Sequence, residues 1–100
     1  MQQKPTAGRI VHFVLADGQH RAAMVTNSVG SDIANLTVFL DHANDLQTSA
    51  QVTGTGWDVK PQLVPQNTGA FTHGGGLHAA SAHQDEDAKA PGTWHWPERE

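Results

Sequence analysis

The sequence predicts an all-β domain, a small SH3-like barrel of about five strands with one long loop or arm. Three observations lead there. Two apolar segments, residues 9–15 and 20–29, flank the dipeptide Asp17-Gly18, a strong short-range hairpin signal. Residues 35–41 alternate, with Leu36, Val38 and Leu40 against Thr37, Phe39 and Asp41, as a half-buried strand does. Ten Gly and five Pro stand beside three Trp and three Phe, a composition of short strands and turns rather than of a helical bundle. A chain of 100 residues can bury one core and not two, so residues 1–100 are expected to form a single small domain.

The first strand is RIVHFVL, residues 9–15, without Gly or Pro inside it. Val11, Phe13 and Leu15 share one face and Ile10, His12 and Val14 the other, so the strand is expected to be covered on both sides. The second, residues 20–29, carries Ala22, Ala23, Met24, Val25 and Val29 and is broken by Gly30-Ser31-Asp32. The third, residues 35–41, offers Phe39 as a contact on the outer face and ends in the turn residues His42-Ala43-Asn44-Asp45. The fourth is LHAASAHQ, residues 77–84. Its alanines favour helix on propensity, but Gly74-Gly75-Gly76 before it and the β character of the remainder favour strand. Asp85-Glu86-Asp87 reads as a solvated turn, and Thr93-Trp94-His95-Trp96-Pro97 as a short aromatic fifth strand.

Residues 46–76 change character. They are rich in Gly, Thr, Gln and Pro, their apolar residues are scattered, and Pro61 and Pro65 cannot donate to a ladder. A connection of about 30 residues without structure is rare in a compact domain and is usually functional, disordered or held by a partner. Short extended pieces around Gln51-Val52-Thr53 and Gln62-Leu63-Val64 could pair. The segment is therefore expected to be an arm ordered by neighbouring subunits, inserting Trp57, Leu63, Val64 and Phe71 into a partner's pockets. Alternatively, Trp57 and Phe71 cover the open end of the barrel.

Residues 8–25 (GRIVHFVLADGQHRAAMV), 35–45 (NLTVFLDHAND) and 89–98 (KAPGTWHWPE) together resemble a family of small, mostly uncharacterised proteins of tailed bacteriophages and prophages. Its members share an RIVHFVL-DG-HR type of hairpin and a closing GTWHWPE motif. The resemblance covers roughly the first 45 and last 25 residues; residues 46–76 depart from the pattern. It implies a phage-encoded, virion-associated protein and assigns no activity to any residue.

No assembled catalytic constellation is legible. Absence of cysteine excludes disulfides and thiolate sites. There is no Gly-x-Ser-x-Gly elbow, and neither Thr53-Gly54-Thr55-Gly56 nor Gly74-Gly75-Gly76 ends in the Lys-Ser/Thr that a phosphate loop needs, so both read as hinges. The seven histidines are His12, His20, His42, His73, His78, His83 and His95, with no pair at metal-binding helical spacing. On a straight strand His78 and His83 face opposite sides. His12 reads as a hydrogen-bonded core or interface residue, and no metal or cofactor is expected. Trp94 and Trp96 share a strand face; they close the core, anchor a neighbouring subunit, or form a stacking platform.

Six Lys+Arg against ten Asp+Glu, a net charge of -4, argue against a nucleic-acid partner. No apolar run is long enough to span a membrane as a helix, and MQQKPTAGR lacks the apolar centre of a secretory signal. The expectation is a non-enzymatic structural protein of a tailed phage, a capsid decoration protein or small tail or neck component. It would be assembled in the host cytoplasm, homo-oligomeric, and in contact with phage structural proteins. An intracellular phage-encoded binding module or regulator is the alternative, and a histidine-based metalloenzyme a third.

Overall fold

The computed structural model describes residues 5–48, 57–73 and 76–97. In chain order it contains β1 (Ile10–Val14), β2 (His20–Ser28), β3 (Ile33–Val38), a helical turn α1 (His42–Asp45), β4 (Leu46–Thr48) and β5 (Trp57–Val59). A 3₁₀ turn (Pro61–Leu63), β6 (Gly69–His73), β7 (Gly76–His83) and β8 (Trp94–His95) follow. Six strands form one curled antiparallel sheet in the order β6-β7-β3-β2-β1-β8, and β4 pairs with β5 separately. The fold is all-β and barrel-like, as the sequence predicts.

The Asp17-Gly18 hairpin closes as a three-residue loop. Leu15 N–H donates to Gln19 O at 2.7 Å and Gly18 N–H to Leu15 O at 2.9 Å, leaving Ala16, Asp17 and Gly18 to turn the chain. Gly18 has φ +92°, a conformation glycine adopts at no steric cost. The Asp17 carboxylate accepts the Gln19 N–H at 3.1 Å. The register that results places Val14 opposite His20 and His12 opposite Ala22.

Two bulges curl the sheet, one on either side of Asn35. The β2–β3 register shifts between Val25 and Asn27. On the other side Ala34 faces Ala82 and Leu36 faces Ala79, which leaves one extra residue on β7. Ser81 takes up the excess at φ +54°. Bulges sharpen the bend and twist of a strand, which a six-stranded sheet needs in order to wrap a small core. At the far edge Trp94 bridges to Gln84, just past β7, and Asp85 N–H donates to Trp94 O at 2.9 Å. The β1–β8 edge is thereby drawn back toward β7, and the barrel is half closed.

The inner face carries Val11, Phe13, Leu15, Val25, Leu36, Leu77 and Trp94, all buried in one cluster. Burial of each large side chain contributes about 1.5–3 kcal/mol, so this face supplies the main driving force of folding. β1 is covered on both sides only toward its end: Val14 is buried on the outer face, whereas Ile10 on the same face is exposed.

Several expectations are corrected. Eight strands are found among the described residues rather than five, because the described parts of 46–76 carry β4, β5, β6 and a 3₁₀ turn. Their apolar residues, too few for a core of their own, join the barrel's core: Val59 and Leu63 are buried in it and Val64 packs against it. Leu63 O accepts Ala16 N–H at 3.0 Å, and Lys60 N–H donates to Asp45 O at 2.9 Å, which fixes this stretch to both the β1 turn and α1. Leu63 is therefore a core residue of the barrel and half-buried Val64 packs against that core, and the piece expected to extend around Leu63 is a 3₁₀ turn. Trp57 and Phe71 are 46% and 54% exposed, whereas Val59 and Leu63 are buried in the core. The piece Gln51-Val52-Thr53, the Thr53–Gly56 hinge at 53–56, Gly74-Gly75 and the start of the N-terminal segment lie outside the described residues. The third strand ends at Val38, before Asp41, and the turn after it is helical.

Candidate functional site

Two histidines of the first hairpin and one from the far end of the chain meet on the outer face of the sheet. His12 on β1 lies directly opposite His95 on β8. His20 begins β2 opposite Val14, two residues along β1 from His12 and so on the same face. The His12 and His95 rings are 5.5 Å apart in edge-to-face geometry, and His20 and His95 are 4.8 Å apart. One ring nitrogen from each of the three falls within 4.8 Å of the others.

The backbone around each ring is held. Arg21, next to His20, donates from Nη1 to His20 O at 2.8 Å, while its Nε and Nη2 grip the two oxygens of Asp45 at 2.7 Å each. Trp94, before His95, is fully buried and donates from Nε1 to Asp32 O at 3.2 Å. Trp96, after it, donates its N–H to the Glu86 carboxylate at 2.9 Å. The acidic turn expected to be merely solvated thus secures β8. Asp85 also accepts the N–H groups of Ala88 and Ala90, which hold its carboxyl below the usual range.

Exposure is graded across the cluster. His95 is fully buried, His12 half-buried and His20 exposed. Burial first, then the adjacent His20 and His12 rings and the Lys89 ammonium, hold His95 below the ordinary histidine value, with Glu86 acting in the opposite sense. Near pH 7 His95 is accordingly a neutral imidazole, the form that can donate a lone pair to a metal. His12, His20 and His95 are the residues of this chain that could hold an ion.

Beside the histidines runs a row of mixed apolar and polar residues. Ile10 faces Met24, Met24 faces Thr37, Thr37 faces His78, and His78 faces Phe71, a continuous line across β1, β2, β3, β7 and β6. The Phe71 ring stacks on His78 at 5.2 Å. Phe39, also exposed, is held next to Ala22, which is the ladder neighbour of His12. The outer face therefore presents two adjoining rows, one in which exposed Ile10, Met24 and Phe71 flank half-buried Thr37 and His78, and one of histidine.

The six interaction candidates do not form one site. Leu63, Val64 and Trp94 belong to the core or pack on it, and Trp96 packs edge-to-face on Trp94 at 5.3 Å beneath the Arg9 guanidinium. Trp57 is exposed on β5, and only Phe71 belongs to the outer row. His78 and His83 lie on the same outer face and not on opposite ones, because the Ser81 bulge shifts the alternation by one residue. The histidine trio escaped sequence reasoning because its members are neighbours only through pairing. The hairpin register gives His12 and His20 a common face; nothing in the sequence dictates that β8 pairs with β1.

Among the described residues no helix is long and apolar enough to cross a membrane. No family model, no curated protein and no solved structure matches the chain.

Proposed function

We propose that the chain is a non-enzymatic structural protein of a tailed bacteriophage, held in the particle through the outer face of its sheet. The observation that carries this reading is the exposed set Ile10, Met24 and Phe71 on one row of the face, with Phe39 beside it. Large apolar side chains aligned on a rigid face and left exposed mark a contact surface. Met and Phe are enriched in protein interfaces, and the net charge of -4 disfavours nucleic acid, so the occupant is another protein subunit of the particle. The RIVHFVL-DG-HR and GTWHWPE resemblance supplies the phage setting, as a capsid decoration protein or a small tail or neck component. Among the described residues β6 is the edge strand of the sheet, a position at which copies of the chain can associate.

Quantitative mass spectrometry of purified particles from the phage or induced prophage that encodes the chain tests this. Many copies per particle are expected. Presence in infected cells with absence from particles would overturn the reading and leave an intracellular binding module that uses the same face.

A further inference from the structure

We propose that His12, His20 and His95 form a binding site for one divalent transition-metal ion of the zinc class on the outer face of the sheet. The rings project from three adjacent strands, so the hydrogen-bond ladder and not a loop sets their spacing. Their ligand nitrogens already lie within 4.8 Å of one another. A tetrahedral ion with Zn–N bonds of about 2.0–2.1 Å needs its nitrogens roughly 3.3 Å apart. Each ring must move inward by less than about 1 Å, which small side-chain rotations supply.

The donor set selects the class of ion. Three imidazole nitrogens suit Zn²⁺, Co²⁺, Ni²⁺ and Cu²⁺, whereas Mg²⁺ and Ca²⁺ require an oxygen-rich shell that the trio does not provide. The graded exposure gives a route: the ion arrives on the His20 side, where solvent reaches, and is finally held against buried His95. Three protein ligands leave a fourth position facing outward, open to water or to a donor from a docked subunit. The site lies next to the proposed contact row but stands on its own geometry, so it survives if the phage reading fails.

Titration of the tag-free chain with ZnCl₂, followed by calorimetry and by the visible spectrum of a Co²⁺ replacement, tests the site. One ion per chain is expected, with Co²⁺ absorption typical of a four-coordinate centre. His20→Ala, at the exposed ligand, and His12→Ala should each weaken binding at least about tenfold, since loss of even an outer-shell partner has effects of that size. The double variant His78→Ala/His83→Ala, elsewhere on the same face, should bind as the parent does. Absence of one-to-one binding, unchanged binding in both His12→Ala and His20→Ala, or loss of binding in the His78/His83 control would overturn the proposal.

Discussion

The side chain of Asn35 on β3 accepts the backbone N–H of Ser81 on β7 at 2.7 Å, at the point where β7 carries its extra residue. On its other side Asn35 O accepts the Thr26 hydroxyl at 3.1 Å, at the β2 bulge. One residue thus braces both irregularities that curl the sheet. The bulge also determines which way β7 presents its histidines.

This brace can be measured. Asn35→Ala should lower stability by about 1 kcal/mol through loss of the acceptor for Ser81 N–H, whereas Asn35→Asp, which keeps it, should be close to neutral. Ser81→Gly should raise stability by up to about 1 kcal/mol, because φ +54° is strained for serine and open to glycine. Urea unfolding midpoints report all three.

Asp45 is fully buried and gripped by Arg21 through two bonds of 2.7 Å, with Asn44 Nδ2 and the Asp41 N–H also donating to it. Arg21→Ala leaves the carboxylate buried and unpaired and should cost about 3 kcal/mol. Arg21→Lys, which cannot reproduce the two-pronged grip, should recover only part of that loss in urea unfolding.

The same carboxylate predicts the acid response. Burial alone would raise its pKa, but the Arg21 and Asn44 hydrogen bonds, the Asp41 N–H and the Arg21 charge outweigh burial and lower it from 3.8 to about 2. Because the folded value lies below the unfolded one, the stabilisation is complete above about pH 4 and is lost as pH falls toward 2. The loss should be on the order of 2 kcal/mol and absent in Asp45→Asn, as followed by thermal unfolding across that range.

Gly92 sits at φ +87°, and a Cβ there would collide with the Asn67 side-chain oxygen. Its N–H donates to Val14 O at 2.8 Å, which aligns β8 beside β1. Gly92→Ala should therefore destabilise by about 1–3 kcal/mol. Asn67→Ala, which removes the colliding oxygen together with its Nδ2 bond to Pro91 O, should destabilise the parent yet cost less beside Gly92→Ala, the difference in paired thermal melts being the steric share.

The local parts of this fold were legible in the sequence. Asp17-Gly18 marks its hairpin, and the alternation at Leu36 and Val38 marks β3, because both signals reside in neighbouring residues. What depends on partners distant in sequence was not legible. Leu63 and Val64 look like isolated apolar residues in a Pro- and Gly-containing stretch until the barrel is present to receive them. Ser81 carries no sign that it flips the alternation of β7, since the acceptor that stabilises the bulge is Asn35 on another strand. His95 joins His12 and His20 only through the β1–β8 ladder, which spacing along the chain does not encode.

On the proposed reading the outer face, with Met24 and Phe71 joined across it by the strand register, is the surface through which the chain is built into a particle. The most direct measurement compares copies per purified particle for the parent and for Met24→Lys/Phe71→Ser, two exposed positions at which such changes should shift stability by only about 0.5 kcal/mol each. Incorporation should fall at least about tenfold, the equivalent of roughly 1.4 kcal/mol of binding free energy, while the thermal midpoint stays within a few degrees. Equal incorporation of the folded double variant and the parent would contradict that reading.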